Sequence, residues 1–260
     1  MTDPVADPVE VTAPAASGGG WAQAVRRRLG VGRLLPLGPP EDGSWLTERA
    51  ADTVLRRAAE GVGGVALGTL RVGLAAPDAP PPAPAVPPPP GALPQGPLRV
   101  EAEFEASAAQ PIPDTARRLR SALTDAARQR LGLAVTDVDL RVTGLLGEAG
   151  RGSAPDAPGN VTDVREEKAA PAAPPGLPGS PEASAAHAAT AVPGVLRLTE
   201  VLGAPVHHDD AAPPAGHVRV EVAVSGERRA LDVAREVRAA VADAVPGQPS
   251  VTVLVTEVHA

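Results

Sequence analysis

The chain of 260 residues carries 32 Pro and 27 Gly but one Phe, two Trp and no Tyr, so packing must rest on Leu and Val and smaller units joined by Pro-rich segments fit better than one domain. The absence of Cys removes disulfide frameworks, thiolate metal sites and cysteine nucleophiles, and it is compatible with a reducing, cytoplasmic setting. A net charge of -7 leaves no global field to gather nucleic acid or an anionic membrane, and no apolar run approaches the roughly 18 residues of a membrane span.

Residues 1–18, with Asp3, Asp7 and Glu10, read as a disordered acidic leader without the basic start and apolar stretch of a signal peptide. Residues 19–36 read as a basic amphipathic helix. Trp21, Val25 and Leu29 share a stripe, while Arg26, Arg27 and Arg28 supply charge. Its expected use is to cap the first unit with Trp21 buried; partner docking and lipid contact are the alternatives.

The first unit is expected over 43–145. A helix is predicted from the Gly43 turn through Ala59, followed by a short strand at Val65. Residues 77–97 hold 11 Pro in 21 positions, a stiff spacer expected to project as a long loop without regular structure. Leu98–Phe104 then alternates with Val100, Ala102 and Phe104 on one face, a half-buried strand. From Asp114 a helix is predicted with Leu119, Leu123, Ala126 and Leu131 on its apolar stripe and Asp114 as N-cap or first-turn residue. Val138–Leu145 closes the unit as a strand.

Residues 147–180 have linker composition. Beyond them, over 181–260, the pattern returns. Val218–Val224 matches Leu98–Phe104, keeping Arg, Val and Glu at the same places, so that Arg219 and Glu221 correspond to Arg99 and Glu101. Asp232–Ala244 matches Asp114–Ala126 without gaps, and Val251–Val258 matches Val138–Leu145. Copies this small gain from packing together. The expected fold class is therefore α+β: two tandem helix-strand-strand-helix-strand units, packed pseudosymmetrically, with Pro-rich disordered insertions.

The Gly43–Ala59 segment, the following Gly-Val, the alternating strand, the amphipathic helix, the Leu131-Gly-Leu133 turn and the closing Val138-Asp-Leu-Arg-Val142 strand resemble the alkaline-shock/general-stress envelope family of Gram-positive bacteria. The likeness spans both copies, and it departs from that family in the duplication, the Pro-rich insertion and the weak first helix of the second copy. The Arg- and Ala-rich composition resembles actinobacterial chains, including ones grouped under a nucleopolyhedrovirus fibrillar-protein name, a label that Pro-rich low complexity attracts without shared function. The resemblance implies a non-enzymatic cytoplasmic protein, linked to envelope stress and held near the membrane through a partner such as a small anchored protein or a paralogue.

The residues themselves support no catalytic centre. There is no G-x-S-x-G elbow and no H-E-x-x-H, and the single Lys, Lys168, lies in the linker. No cofactor is expected. His207, His208, Asp209 and Asp210 are weak metal candidates: adjacent side chains seldom converge on one ion, so a solvated loop is the expected reading. Arg117, Arg120, Arg235 and Arg238 recur at equivalent helix positions and are the candidate partner contacts, together with Trp21, Arg26, Arg27 and Arg28. The expected function is a scaffold or interaction protein, self-association included. The alternatives are a small-ligand or metal-binding protein and, through the N-terminal Arg cluster, a weak nucleic-acid binder.

Overall fold

A computed structural model describes residues 30, 32–146, 179–210 and 216–259. The leader, residues 19–29 of the basic segment and most of the linker lie outside the described residues.

Strands β1 (Leu34–Pro36) and β2 (Ser44–Thr47) are joined through a 3-10 turn at Pro40–Asp42. Thr47 ends β2 and accepts the Ala50 N–H, capping helix α1 (Glu48–Glu60). Next come β3 (Val65–Leu74), β4 (Leu98–Ser107) and α2 (Ile112–Asp125), which runs into a π-helical turn at Ala126–Leu131 before β5 (Val135–Leu146). The second half comprises α3 (Pro181–Thr190), β6 (Val195–Leu198), β7 (Val206–Asp209), β8 (His217–Ser225), α4 (Ala230–Ala244) and β9 (Ser250–His259). The α+β class is as expected. Asp114 and Asp232 both lie in a first helical turn, where the positive end of the dipole favours them.

The strands form two sheets. Sheet A has the order β1-β2-β9-β8, with β6 and β7 both on the far side of β8, and sheet B the order β3-β4-β5. Each half lays one strand antiparallel to the next, β3 on β4 and β6 with β7 on β8. A helix then carries the chain to a parallel neighbour, β4-α2-β5 and β8-α4-β9. The sequence repeat is thus a repeat of topology. Helices α1 and α2 pack on sheet B and α3 and α4 on sheet A, with α1 also reaching β9. One continuous core results, in which Phe104, Leu119, Leu123 and Leu131 of the first half are buried in the same cluster as Val220, Val237, Val241 and Val255 of the second.

Four expectations are corrected. The helix over 19–36 does not extend to its end, because Leu34–Pro36 is strand: Gly32 turns the chain at φ 70° and Leu35 pairs with Leu46. The helix expected from Gly43 starts at Glu48 instead. Trp45 and Leu46 are both fully buried, on opposite faces of β2, and pair with Leu254 and Val255, a two-faced burial that suits a strand between layers. His207–Asp209 is strand rather than loop, since β8 offers it a ladder.

The Pro-rich insertion is anchored instead of projecting without structure. Val86 is buried with Leu34, Trp45 and Leu254, and the Leu93 N–H donates to the Leu34 carbonyl at 2.8 Å. Trp45 and Leu254 lie on the outer face of sheet A, and Val86, the apolar side chain that the proline run carries, packs over them and keeps them from solvent.

Candidate functional site

The predicted contact residues do not gather on one surface. Arg117 pairs with Asp114 at 2.9 Å on an exposed face of α2. Arg120 reaches from α2 to strand β5, donating from Nε to the Val138 carbonyl at 3.2 Å. Arg235 is turned inward to Asp42, and Arg238 lines a shallow groove of about 200 Å³ beside Pro249. His207 and His208 are neighbours on β7 and so point to opposite faces, with His208 Nε2 3.3 Å from Asp210 Oδ1. Among the described residues no group of three or more His, Asp or Glu is gathered for a metal ion. Trp21, Arg26, Arg27 and Arg28 lie outside the described residues.

An edge strand that sequence reading did not single out distinguishes the two repeats. In the second repeat the closing strand β9 is covered on its free side by β2, with Trp45 beside Leu254. In the first, the equivalent strand β5 pairs with β4 alone, and no other strand among the described residues adds to it. At 12 residues β5 is the longest strand among the described residues. It also carries two of the three large apolar side chains that stand exposed among the described residues, Val142 at 39% and Leu145 at 60%. Edges are usually blunted by shortness, bulges or cover. Both edges of sheet B carry irregularities, a bulge between Leu67 and Leu70 on β3 and shifts at Thr136 and Thr143 on β5 that leave Asp137–Val142 as an uninterrupted run, and Arg128 and Arg120 donate to the Val135 and Val138 carbonyls of β5. Along β5 the outer face alternates charge, with Asp139 3.4 Å from Arg99 and Arg141 3.7 Å from Glu103.

The same Arg-x-Glu pair has opposite fates in the two repeats. Glu101 on β4 is exposed, whereas Glu221 on β8 is fully buried beneath residues 199–205, the excursion between β6 and β7. Its carboxylate accepts from Val201 N at 2.6 Å and Leu202 N at 3.1 Å, and Arg219 Nε stands 3.5 Å away. Burial pushes the Glu221 carboxyl up to about 7, outweighing those donors.

A cleft of about 650 Å³ lies where the repeats meet, between the start of α4 and the turns around Gly38 and Gly132. Leu231 is wedged between the two glycines: a Cβ at Gly38 would come 2.7 Å from Leu231 Cδ1, and one at Gly132 2.4 Å from Leu231 Cβ. Arg128, Arg229 and Arg235 stand on its walls. Gln95, buried to 6% exposure, also lines it, and its Nε2 has no hydrogen-bond partner among the described residues. Arg128 donates to the Val135 carbonyl and Arg229 Nε to the Arg128 carbonyl at 3.0 Å, so the cations are held in place by backbone oxygens.

No protein family, curated protein or solved structure matches this chain. Among the described residues no helix is long and apolar enough to cross a membrane.

Proposed function

We propose that the chain is a non-enzymatic interaction protein of the alkaline-shock type, acting in the cytoplasm as a scaffold that takes another strand onto β5. The observation that carries this reading is the asymmetry of the repeats: β9 receives β2, while among the described residues β5 ends its sheet, with Val142 and Leu145 exposed. An open strand recognises partners through its main-chain donors and acceptors, and its side chains select among them. The duplicated unit and the absence of a converging catalytic set among the described residues support a binding rather than a chemical role. The kinship with the envelope-stress family, and membrane proximity through a partner, rest on the resemblance described above.

The test is crosslinking and affinity recovery at native expression, comparing the wild-type chain with V142K/L145K. Both side chains are exposed, so the melting temperature should hold while specific partners are lost. Equal recovery by the double variant would reject the β5 edge as the contact surface.

The inter-repeat cleft favours a second reading, a small anionic ligand held by Arg128 and Arg229 against the apolar wall at Leu231 and Leu133. A thermal-shift screen of organic carboxylates and phosphates in which no compound raises the wild-type melting temperature more than that of R128A/R229A would dismiss it.

A further inference from the structure

We infer that the strand received by β5 is the β5 of a second copy, paired antiparallel about a twofold axis at Leu140. This rests on the edge reading above and names its occupant.

The argument is one of register. Within β5, Asp137–Val142 pairs with β4 without interruption, between the two shifts that flank it. When an antiparallel strand meets its own copy about Leu140, Leu140 faces Leu140, Val138 faces Val142, and Asp139 faces Arg141, each unlike pair occurring twice because the contact is isologous. Both halves of the strand agree on this centre. On the core side the half-buried Val138 and Leu140 continue into the exposed Val142, so the pairing extends an apolar row that a single chain leaves open at one end. On the other side Asp139 and Arg141 are exposed, and their intrachain partners stand at 3.4 and 3.7 Å, so both can also engage a facing strand.

A centre on Asp139 or Arg141 sets an identical charge against itself at the axis, which is unfavourable. A centre on Val138 puts Asp137 opposite Asp139. A centre on Asp139 does bring Asp137 opposite Arg141, but only with Asp139 facing itself; among these positions the Leu140 register alone gains complementary charge without setting like charges opposite each other. The product is one six-stranded sheet, β3-β4-β5 followed by its twofold mate, in which the Val138 carbonyl that accepts from Arg120 Nε in the single chain turns to the mate's strand and this edge leaves solvent.

Sedimentation of the full-length chain across concentration tests this. The wild type is expected to dimerise. D139R and R141D, each placing like charges opposite one another, are expected to weaken association at least about tenfold. An equimolar mixture of the two restores unlike pairs and should recover the dimer, as should D139R/R141D alone, which also guards against a single variant that fails to fold. A wild type that stays monomeric overturns the inference, whether the edge is then found on a foreign strand or on another segment of the same chain. Partners lost from V142K/L145K would in that case still uphold the scaffold reading. Dimers that persist unchanged in both single variants overturn it equally.

Discussion

Arg235 of α4 and Asp42 of the turn before β2 form a two-pronged ion pair across the seam of the repeats, with bonds of 2.8 to 3.1 Å. Hydrogen bonding to Asp42 raises the Arg235 guanidinium above its usual value. Asp42 is nearly buried, so R235A strands a carboxylate away from water and should cost about 2 kcal/mol. Arg117 is the equivalent residue of the first repeat, but its Asp114 partner is exposed, and R117A should cost under about 0.5 kcal/mol. Urea unfolding of the two variants side by side measures the difference; equal midpoints would deny the seam pair its role.

Gly132 tests how closely the repeats dock. Its φ of 92° alone penalises any side chain, and a Cβ would also enter the space of Leu231. G132A should lose roughly 2–4 kcal/mol from backbone strain and overpacking together. Gly91 has a φ of 82° with nothing within 4 Å, so G91A should show the backbone part alone, about 1–2 kcal/mol. Thermal denaturation that ranks them the other way would place Leu231 elsewhere.

Glu221 predicts a pH dependence of determined sign. Its folded-state value of about 7 lies above the ordinary 4.5, so the folded chain retains a proton that the unfolded chain releases. The stability this proton contributes is full below about pH 4.5 and is lost as pH rises through 7, about 3 kcal/mol in all. E221Q keeps the shape and cannot ionise. The stability of the wild type relative to E221Q should therefore fall between pH 4.5 and 7 and level off above. A relative stability that stays level over that window would mean a carboxylate already charged throughout.

The Pro-rich insertion should behave as part of the folded body. V86D places a charge beside Trp45 and Leu254, and about 1.4 kcal/mol of lost anchoring corresponds to tenfold more frequent release of the segment. Proteolysis within 77–97 and amide exchange at Leu93, whose N–H is held by the Leu34 carbonyl, should both accelerate about tenfold. Unchanged rates would return the segment to a free loop.

Much of the architecture could be read before folding because it is written in local periodicity. The stripes through Leu119 and Leu123 and through Val237 and Val241 are buried, and so are the alternating Val100, Ala102 and Phe104. The near-continuous apolar run from Val251 to Val255, interrupted only by Thr252, is a strand buried on both faces. Two of the misreadings share a cause. Ser44–Thr47 and Val206–Asp209 are too short for a period to show, and they become strands because β9 and β8 offer ladders from elsewhere in the chain.

Periodicity also could not say which side of each sheet would meet water. Arg99-Val-Glu101 and Arg219-Val-Glu221 are the same words, yet one glutamate is exposed and the other is buried with a perturbed carboxyl. The difference lies in what covers the sheet: residues 199–205, Val86 of the insertion and the β1–β2 hairpin close sheet A, while among the described residues nothing adds to the outer face of sheet B or to its β5 edge. Repeated local pattern was enough to specify two kindred units, since hydrophobic spacing acts within a few residues. Cover, exposed edge and ionisation required the assembled molecule, because desolvation depends on segments brought together from opposite ends of the chain.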